Sequence, residues 1–317
     1  MSFNDKINIC FQNYTQIDNP NYVKNKYTLY ADFIELIAVF SNADGVSFGD
    51  VQDRFFGTKD YNNAKERDKD ESWLGKVFTF IQERANVFGL DYAFNVDDDN
   101  LITLKSDLSW KNKLYIGMLI SSKLNVFSEF KSDITTEFES ISFEVLKEFL
   151  PSHAITKEFG KNSPYQGNAI KKISSLAKDI GLKTDDYELS GISERNYQER
   201  GLDIIGWIPF SDSCMNKLIY LAQCACGKDV ESKHHDTRRF ENYFIYYKTS
   251  PQHIMMIPYS LINTTDKKFY NSDLLEKEFL IFERKRILTF FNNEDVFKSL
   301  QMSKIVEACV LIIQDIV

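Results

Sequence analysis

Residues 201–229 read GLDIIGWIPFSDSCMNKLIYLAQCACGKD, two apolar strand-like runs that each carry one polar side chain a plain core strand does not need. The intruders are Asp203 and Gln223. Joined by Pro209-Phe210-Ser211-Asp212-Ser213, the runs read as neighbouring strands. Period-two alternation sets Asp203 with Ile205 on one face, and Gln223 with Leu221 and Ile219 on one face. Both oxygen-bearing side chains then approach a single point. With the carbonyl of Cys224 they offer Mg²⁺ three protein ligands, leaving waters and a substrate phosphate to complete an octahedron. A cation held this way polarises phosphoryl oxygens and lowers the pKa of an attacking water, and a nearby lysine would position that water.

Each residue also has a plainer use. Asp203 can cap the turn at Arg200-Gly201 or pair with Arg195 or Arg200, and a lone strand glutamine commonly bonds backbone. Cys224 and Cys226 fit small core positions. The pair makes a poor zinc site, since no second Cys or His pair stands at finger spacing.

The chain around this stretch has 317 residues, 43% of them hydrophobic, with 26 Phe and 16 Tyr. Such a chain buries a large core, and its length predicts about two domains. Five cysteines, odd in number and scattered, argue against a secreted disulfide framework. The opening MSFNDKINICFQNYTQ lacks the basic and apolar regions of a signal peptide. No apolar run approaches the roughly 18–20 residues that span a bilayer, so a cytoplasmic protein without membrane contact is expected. The formal net charge of −8 repels phosphate backbones overall, and any nucleic-acid contact must come from a local basic surface.

The N-terminal region reads as helices over 28–41, 46–57 and 72–88. A hairpin follows, in which DYAFNV and LITLK flank Asp97-Asp98-Asp99-Asn100. Residues 57–71 form a charged loop, and Glu71-Ser72 is placed to cap the third helix. Three helices followed by a hairpin is winged-helix order. DNA reading by the third helix would rest on Lys76, Gln82, Glu83 and Arg84, a mixed face beside an acidic hairpin tip, which favours packing or partner binding. Beyond it come apolar helices over 111–130 and 134–150, a loop KNSPYQGN (161–168), and a helix that stops at Gly181. After the opening stretch, DVESKHHDTRRFENYFIYY reads as helical and HIMMIPYSLI as a buried strand. SDLLEKEFLIFERKRILTFF mixes the two, and a closing helix runs from 293.

Phe138-Glu139 on a helix, Phe159-Gly160, GLDIIGW and LAQCACGK occur in that order. The pattern resembles the PD-(D/E)XK restriction-endonuclease-like superfamily, above all its type IV restriction branch with Gln for the second acid. The similarity covers about 135–290 and is closest to phage-defence-type nuclease domains. It implies a mixed-sheet nuclease-like core flanked by helices over 131–317; with the mainly helical, winged-helix-like domain read from element order over 1–130, an α+β/α/β chain is expected. It further implies that Asp203 and Gln223 bind Mg²⁺ or Mn²⁺ and that the helix acid Glu139 assists through water. The family places a lysine two residues after the second ligand, where this chain has Ala225. Lys228 or Lys233 could return an ammonium from the segment that follows, with Lys217 a weaker candidate.

For DNA, Lys228, Lys233, Arg238 and Arg239 form a basic stripe when read as a helix. Asp229, Glu231, Asp236 and Glu241 balance it, so an ordinary charged helix surface is the competing reading. Arg284-Lys285-Arg286 is a second basic cluster, at a strand edge or helix end. His234-His235-Asp236 could be half of a metal site, but adjacent helical residues point apart, which favours a solvated helix face. No P-loop, GxGxxG or nucleophile elbow occurs. The expected function is a Mg²⁺-dependent DNA endonuclease in bacterial anti-phage defence. It would act alone, as a homo-oligomer or with a partner encoded nearby. The competing expectations are a nuclease-fold scaffold or sensor without hydrolysis and a winged-helix transcription regulator.

Overall fold

The computed structural model describes residues 1–16, 27–41, 45–57, 59–196, 200–210, 212, 217–226, 236–246, 249–262 and 279–311, with the backbone alone at 14–16. The chain is mixed α/β. It begins with helices and continues into a five-stranded mixed sheet flanked by helices. Among the described residues no helix is long and apolar enough to cross a membrane.

The chain forms two compact units, the first made of Met1–Ile134 with the described parts of 259–270 and 294–317. Its opening elements are α1 (Phe3–Gln16), α2 (Tyr27–Ser41), α3 (Phe48–Phe56) and α4 (Ala64–Phe88). Ser47 and Asp50 cap α3 reciprocally, and α4 ends at Gly89, whose φ is +57°. The α4 helix starts earlier than the expected cap at Glu71-Ser72. Asn63 accepts from the Glu66 amide, and Arg67 pairs with Glu71 one turn on, which makes the second half of the charged stretch a solvated helical turn. A hairpin of β1 (Phe94–Val96) and β2 (Ile102–Leu104) follows, and Val46 bridges to Ile102. Its turn is closed by Asp97, which accepts from the Leu101 amide, and by Asn100 at φ +60°. The next helix, α5 (Trp110–Ser121), ends nine residues short of the expected stop at 130.

A charged cluster lies inside this unit. Arg84 is 1% exposed and reaches Asp32 at 2.7 Å and Glu35 at 2.9 Å. The hydroxyls of Tyr92 and Tyr115 both donate to Glu35 at 2.8 Å. Arg84 therefore has no part in an exposed DNA-reading face. Gln82 likewise turns its amide to the Asp97 carbonyl and Asn100 of the hairpin.

The second unit joins Thr135–Pro258 with the described part of 271–293. It contains α6 (Lys131–Phe149) from Thr135 on, β3 (Ile155–Glu158), α7 (Ala169–Ile180), β4 (Lys183–Thr184) and α8 (Asp186–Ser190). There follow β5 (Ile204–Trp207), β6 (Ile219–Cys224), α9 (Phe240–Tyr243), β7 (Phe244–Ile245), β8 (Gln252–Met256), β9 (Leu280–Phe282) and α10 (Arg284–Phe290). The main sheet runs β3-β5-β6-β8-β9, antiparallel across the first three strands and parallel from β6 to β9. Ile205, Trp207, Ile219 and Leu221 pack with α7 on one face. Gly206, on the other, lies so close to Leu146 of α6 and to Leu150 just past its end that an added Cβ would stand 2.6 Å from Leu150 Cδ1. Central strands covered on both faces explain why these runs are apolar almost throughout.

The boundary near 134 lies close to the one expected at 130. The chain end corrects the expectation for 131–317: α11 (Glu294–Ser299) and α12 (Gln301–Val310) belong to the first unit. There Met302 fills the space over Gly117, where a Cβ would meet its sulfur at 2.8 Å, and Lys113 pairs with Glu307. An apolar helix face packs wherever a complementary face exists, and sequence order does not constrain which unit supplies it.

Candidate active site

The sheet of the second unit carries its polar intruders at one end, where β5 begins and β6 finishes. Asp203, just before β5, is anchored through its backbone and side chain. Its amide donates to the Ala222 carbonyl, and its own carbonyl accepts from the Phe159 and Gly160 amides at 2.7 and 3.0 Å. Its Oδ2 accepts from the Cys224 amide at 2.7 Å, so a carboxylate continues the ladder where β6 runs out of partner backbone. Neither Arg195 nor Arg200 is needed to explain this aspartate, and the Arg200 guanidinium goes instead to the Tyr243 hydroxyl.

Gly160 brings the helix acid to the same point. A Cβ there would lie 2.8 Å from Glu139 Oε2 and 3.5 Å from Asp203 Oδ1, so both carboxylates converge over a glycine that leaves them room. Both also reach Cys224. Burial first, then the negative charge of Asp203, holds the Cys224 thiol well above its usual range, with Glu139 adding to the effect and a hydrogen bond to Ser142 opposing it. Cys224 is therefore no thiolate nucleophile.

Gln223 lies between the two residues that anchor Asp203, but its amide group engages elsewhere. It is 4% exposed, and its Nε2 donates to Asp236 Oδ2 at 3.0 Å. Its Oε1 is buried with no hydrogen-bond donor among the described residues. A buried carbonyl oxygen left so costs about 1–3 kcal/mol. Asp236 stands close because Gly201, at φ +87°, gives it space; a Cβ there would be 2.3 Å from Asp236 Cβ. The three expected metal ligands are thus not one side-chain cluster: Asp203 meets Glu139, Gln223 turns its amide nitrogen to Asp236, and Cys224 supplies its amide to Asp203.

The expected cations divide similarly. Lys228 and Lys233 lie outside the described residues. Lys217 caps the end of α7, its ammonium 2.6 Å from the Ile180 carbonyl, and so is committed away from the carboxylates. Ala225 is buried, and its amide bonds to the Met256 carbonyl. Arg238 lies over the Phe279 ring at 5.9 Å, and Arg239, exposed, pairs with Asp236 at 3.1 Å. The basic stripe is thus reduced, among described residues, to Arg239 at the site's edge. Arg284-Lys285-Arg286 opens α10, with Arg284 buried against the Pro258 carbonyl, so this cluster is structural.

Lys161 lies near the site without a motif to mark it. The Lys161 ammonium is 3.1 Å from Thr136 Oγ1, one turn before Glu139 on α6. Its only sequence signal is that it follows Phe159-Gly160; Asp236 stands in the His234-His235-Asp236 run, whose histidines lie outside the described residues.

Among the described residues no three His, Cys, Asp or Glu side chains are grouped to hold a metal. Glu139 and Asp203 nevertheless bring two carboxylates to one point beside Gly160, an oxygen donor set. That set suits a hard cation such as Mg²⁺ or Mn²⁺, which takes one or two carboxylates and draws its remaining ligands from water and phosphate. No known family model, curated protein or solved structure matches the chain.

Proposed function

We propose that the second unit is a metal-dependent phosphodiesterase acting on DNA, of the restriction-endonuclease-like kind, working in defence against foreign DNA. The observation that carries this reading is the convergence of Glu139 Oε2 and Asp203 Oδ1 over Gly160, at the sheet end where Gln223 keeps a buried, unmatched oxygen. The element order supports it too: helix with Phe138-Glu139, strand entered at Asp203, strand left through Gln223, then a helical turn. Bound Mg²⁺ or Mn²⁺ would polarise the phosphate and acidify water. Asp203 and Glu139 would hold that cation, and Glu139 would orient the water through its carboxylate. Lys161, whose ammonium stands beside Thr136 on the helix that carries Glu139, would serve the phosphate in place of the lysine missing at Ala225. The first unit, winged-helix-like in the order α2, α3, α4 and hairpin, is read as a partner-binding element because Arg84 and Gln82 are used internally. That partner is a second copy or a protein encoded nearby.

The test is cleavage of plasmid and linear DNA with Mg²⁺, Mn²⁺ or Ca²⁺, comparing the native chain with Asp203→Asn and Glu139→Gln. Mg²⁺- or Mn²⁺-dependent nicking lost in both variants is expected; equal cleavage by Asp203→Asn overturns the reading. The buried, bonded Ala225 favours a second reading, a nuclease-fold scaffold that binds without hydrolysis. Metal-independent DNA retention with no cleavage under any metal would select it.

A further inference from the structure

We propose that the first unit binds a small organic anion, in a cavity of about 590 Å³ lined by the hairpin, the approach to α5 with its first turn, and the end of α12. The backbone brings the polar side chains of this cavity together. Asn95 and Thr103 are direct partners across the hairpin, so they share one face. The Lys105 amide still donates to the Ala93 carbonyl at 3.0 Å, which continues the ladder and sets Lys105, two residues on, with Thr103. Lys113 adds a second ammonium from α5, where Glu307 of α12 pairs with it at 3.0 Å. Lys105 gives one of its three donors to the Leu90 carbonyl at 3.4 Å and has no carboxylate partner among the described residues. The Lys113 pair is exposed and therefore weak, so a ligand anion can enter it. Leu108 and Val310 supply an apolar wall to the same cavity. A carboxylate or phosphate head on an aliphatic or aromatic body fits this division, its head among the lysines, Asn95 and Thr103, its body on the leucine and valine. The chain carries a net charge of −8, so anions are repelled overall and only a local site can hold one. The cavity uses no residue of the second unit and stands whether or not Glu139 and Asp203 hydrolyse DNA.

The experiment titrates the full chain calorimetrically with octanoate and octyl phosphate below their micellar concentrations, and with octylamine and inorganic phosphate as counterparts of the wrong charge and without a body. At least one of the two amphipathic anions should bind, inorganic phosphate about tenfold more weakly, and octylamine not at all. Lys105→Met keeps the apolar stem and removes the charge. It should weaken the bound anion about tenfold, the effect of one lost charge-assisted hydrogen bond, at an unchanged melting temperature. Lys69→Met removes the same charge from an exposed position on α4 and should leave affinity as it is. Ser106→Glu sets a carboxylate at an exposed position of the cavity lining and should also weaken binding about tenfold. If Lys105→Met does not fold, Ser106→Glu decides. Binding of neither amphipathic anion overturns the inference, as does equal binding of octylamine or of inorganic phosphate. Native affinity in the deciding variant, or an equal loss in Lys69→Met, overturns it too.

Discussion

The Oδ2 of Asp203 accepts the backbone amide of Cys224 at 2.7 Å, so one side chain both closes the end of a β-ladder and directs its other oxygen toward Glu139. Alanine and asparagine should therefore behave differently at this position. Asp203→Ala strands a part-buried amide and is expected to lower stability by about 1–3 kcal/mol in urea denaturation. Asp203→Asn keeps an acceptor for Cys224, should remain near native stability, and should still lose metal-dependent cleavage.

Gly160→Ala tests the convergence without touching either acid. The backbone of Gly160 is not in the left-handed region, so alanine is conformationally allowed, but its Cβ would stand 2.8 Å from Glu139 Oε2. The carboxylate end must swing aside. Folding is expected to survive while cleavage falls about 100-fold, the effect of a misplacement near 1 Å. A fully active alanine variant would remove Glu139 from the site.

Lys161→Ala should leave the melting temperature unchanged, because this lysine is exposed, and should reduce cleavage about 100-fold if its ammonium serves the phosphate. Lys161→Arg, which keeps the charge, should recover part of that rate. Unaltered turnover in the alanine variant would return attention to Lys228 and Lys233.

Acidification should loosen the sheet around His253. Its Nδ1 meets Thr237 Oγ1 at 2.9 Å and its Nε2 meets Glu241 at 2.6 Å. Burial, the largest influence, holds its pKa below the usual 6.5 despite the opposing pull of Glu241, with Arg238 lowering it further. The folded protein thus keeps a neutral imidazole where the unfolded chain takes up a proton. This contribution to stability is complete above pH 6.5 and declines as the pH falls through and below that value. Melting temperature against pH from 8 to 5 should fall on the acid side, and His253→Gln should flatten that part of the curve.

Arg84→Met should be the most damaging of these changes. Burial opposes its charge, yet Glu35, Tyr115, Asp32 and Tyr92 outweigh that and keep it protonated. Removing it leaves two buried carboxylates without their cation, a loss of about 3–5 kcal/mol in denaturant unfolding. A loss below 1 kcal/mol would show that the carboxylates had become neutral or hydrated.

The sequence determined the local framework: the capped helices, the hairpin at Asp97–Asn100, the stop at Gly181 and the two strands with their intruding Asp203 and Gln223. Hydrophobic period, caps and turn residues act over a few positions, so they are readable one segment at a time. It could not show that Arg84 is buried, because a guanidinium belongs inside only when Asp32, Glu35 and two tyrosines from distant segments surround it. Nor could alternation foresee that Asp203 and Glu139 both come to Gly160 while Gln223 turns to Asp236. Period two assigns faces along an ideal strand, and here the regular ladder ends with an aspartate side chain in place of backbone. Which residues share the site, and which unit receives the chain's last helices, was decided by tertiary packing, since those contacts join segments that carry no local signal of one another.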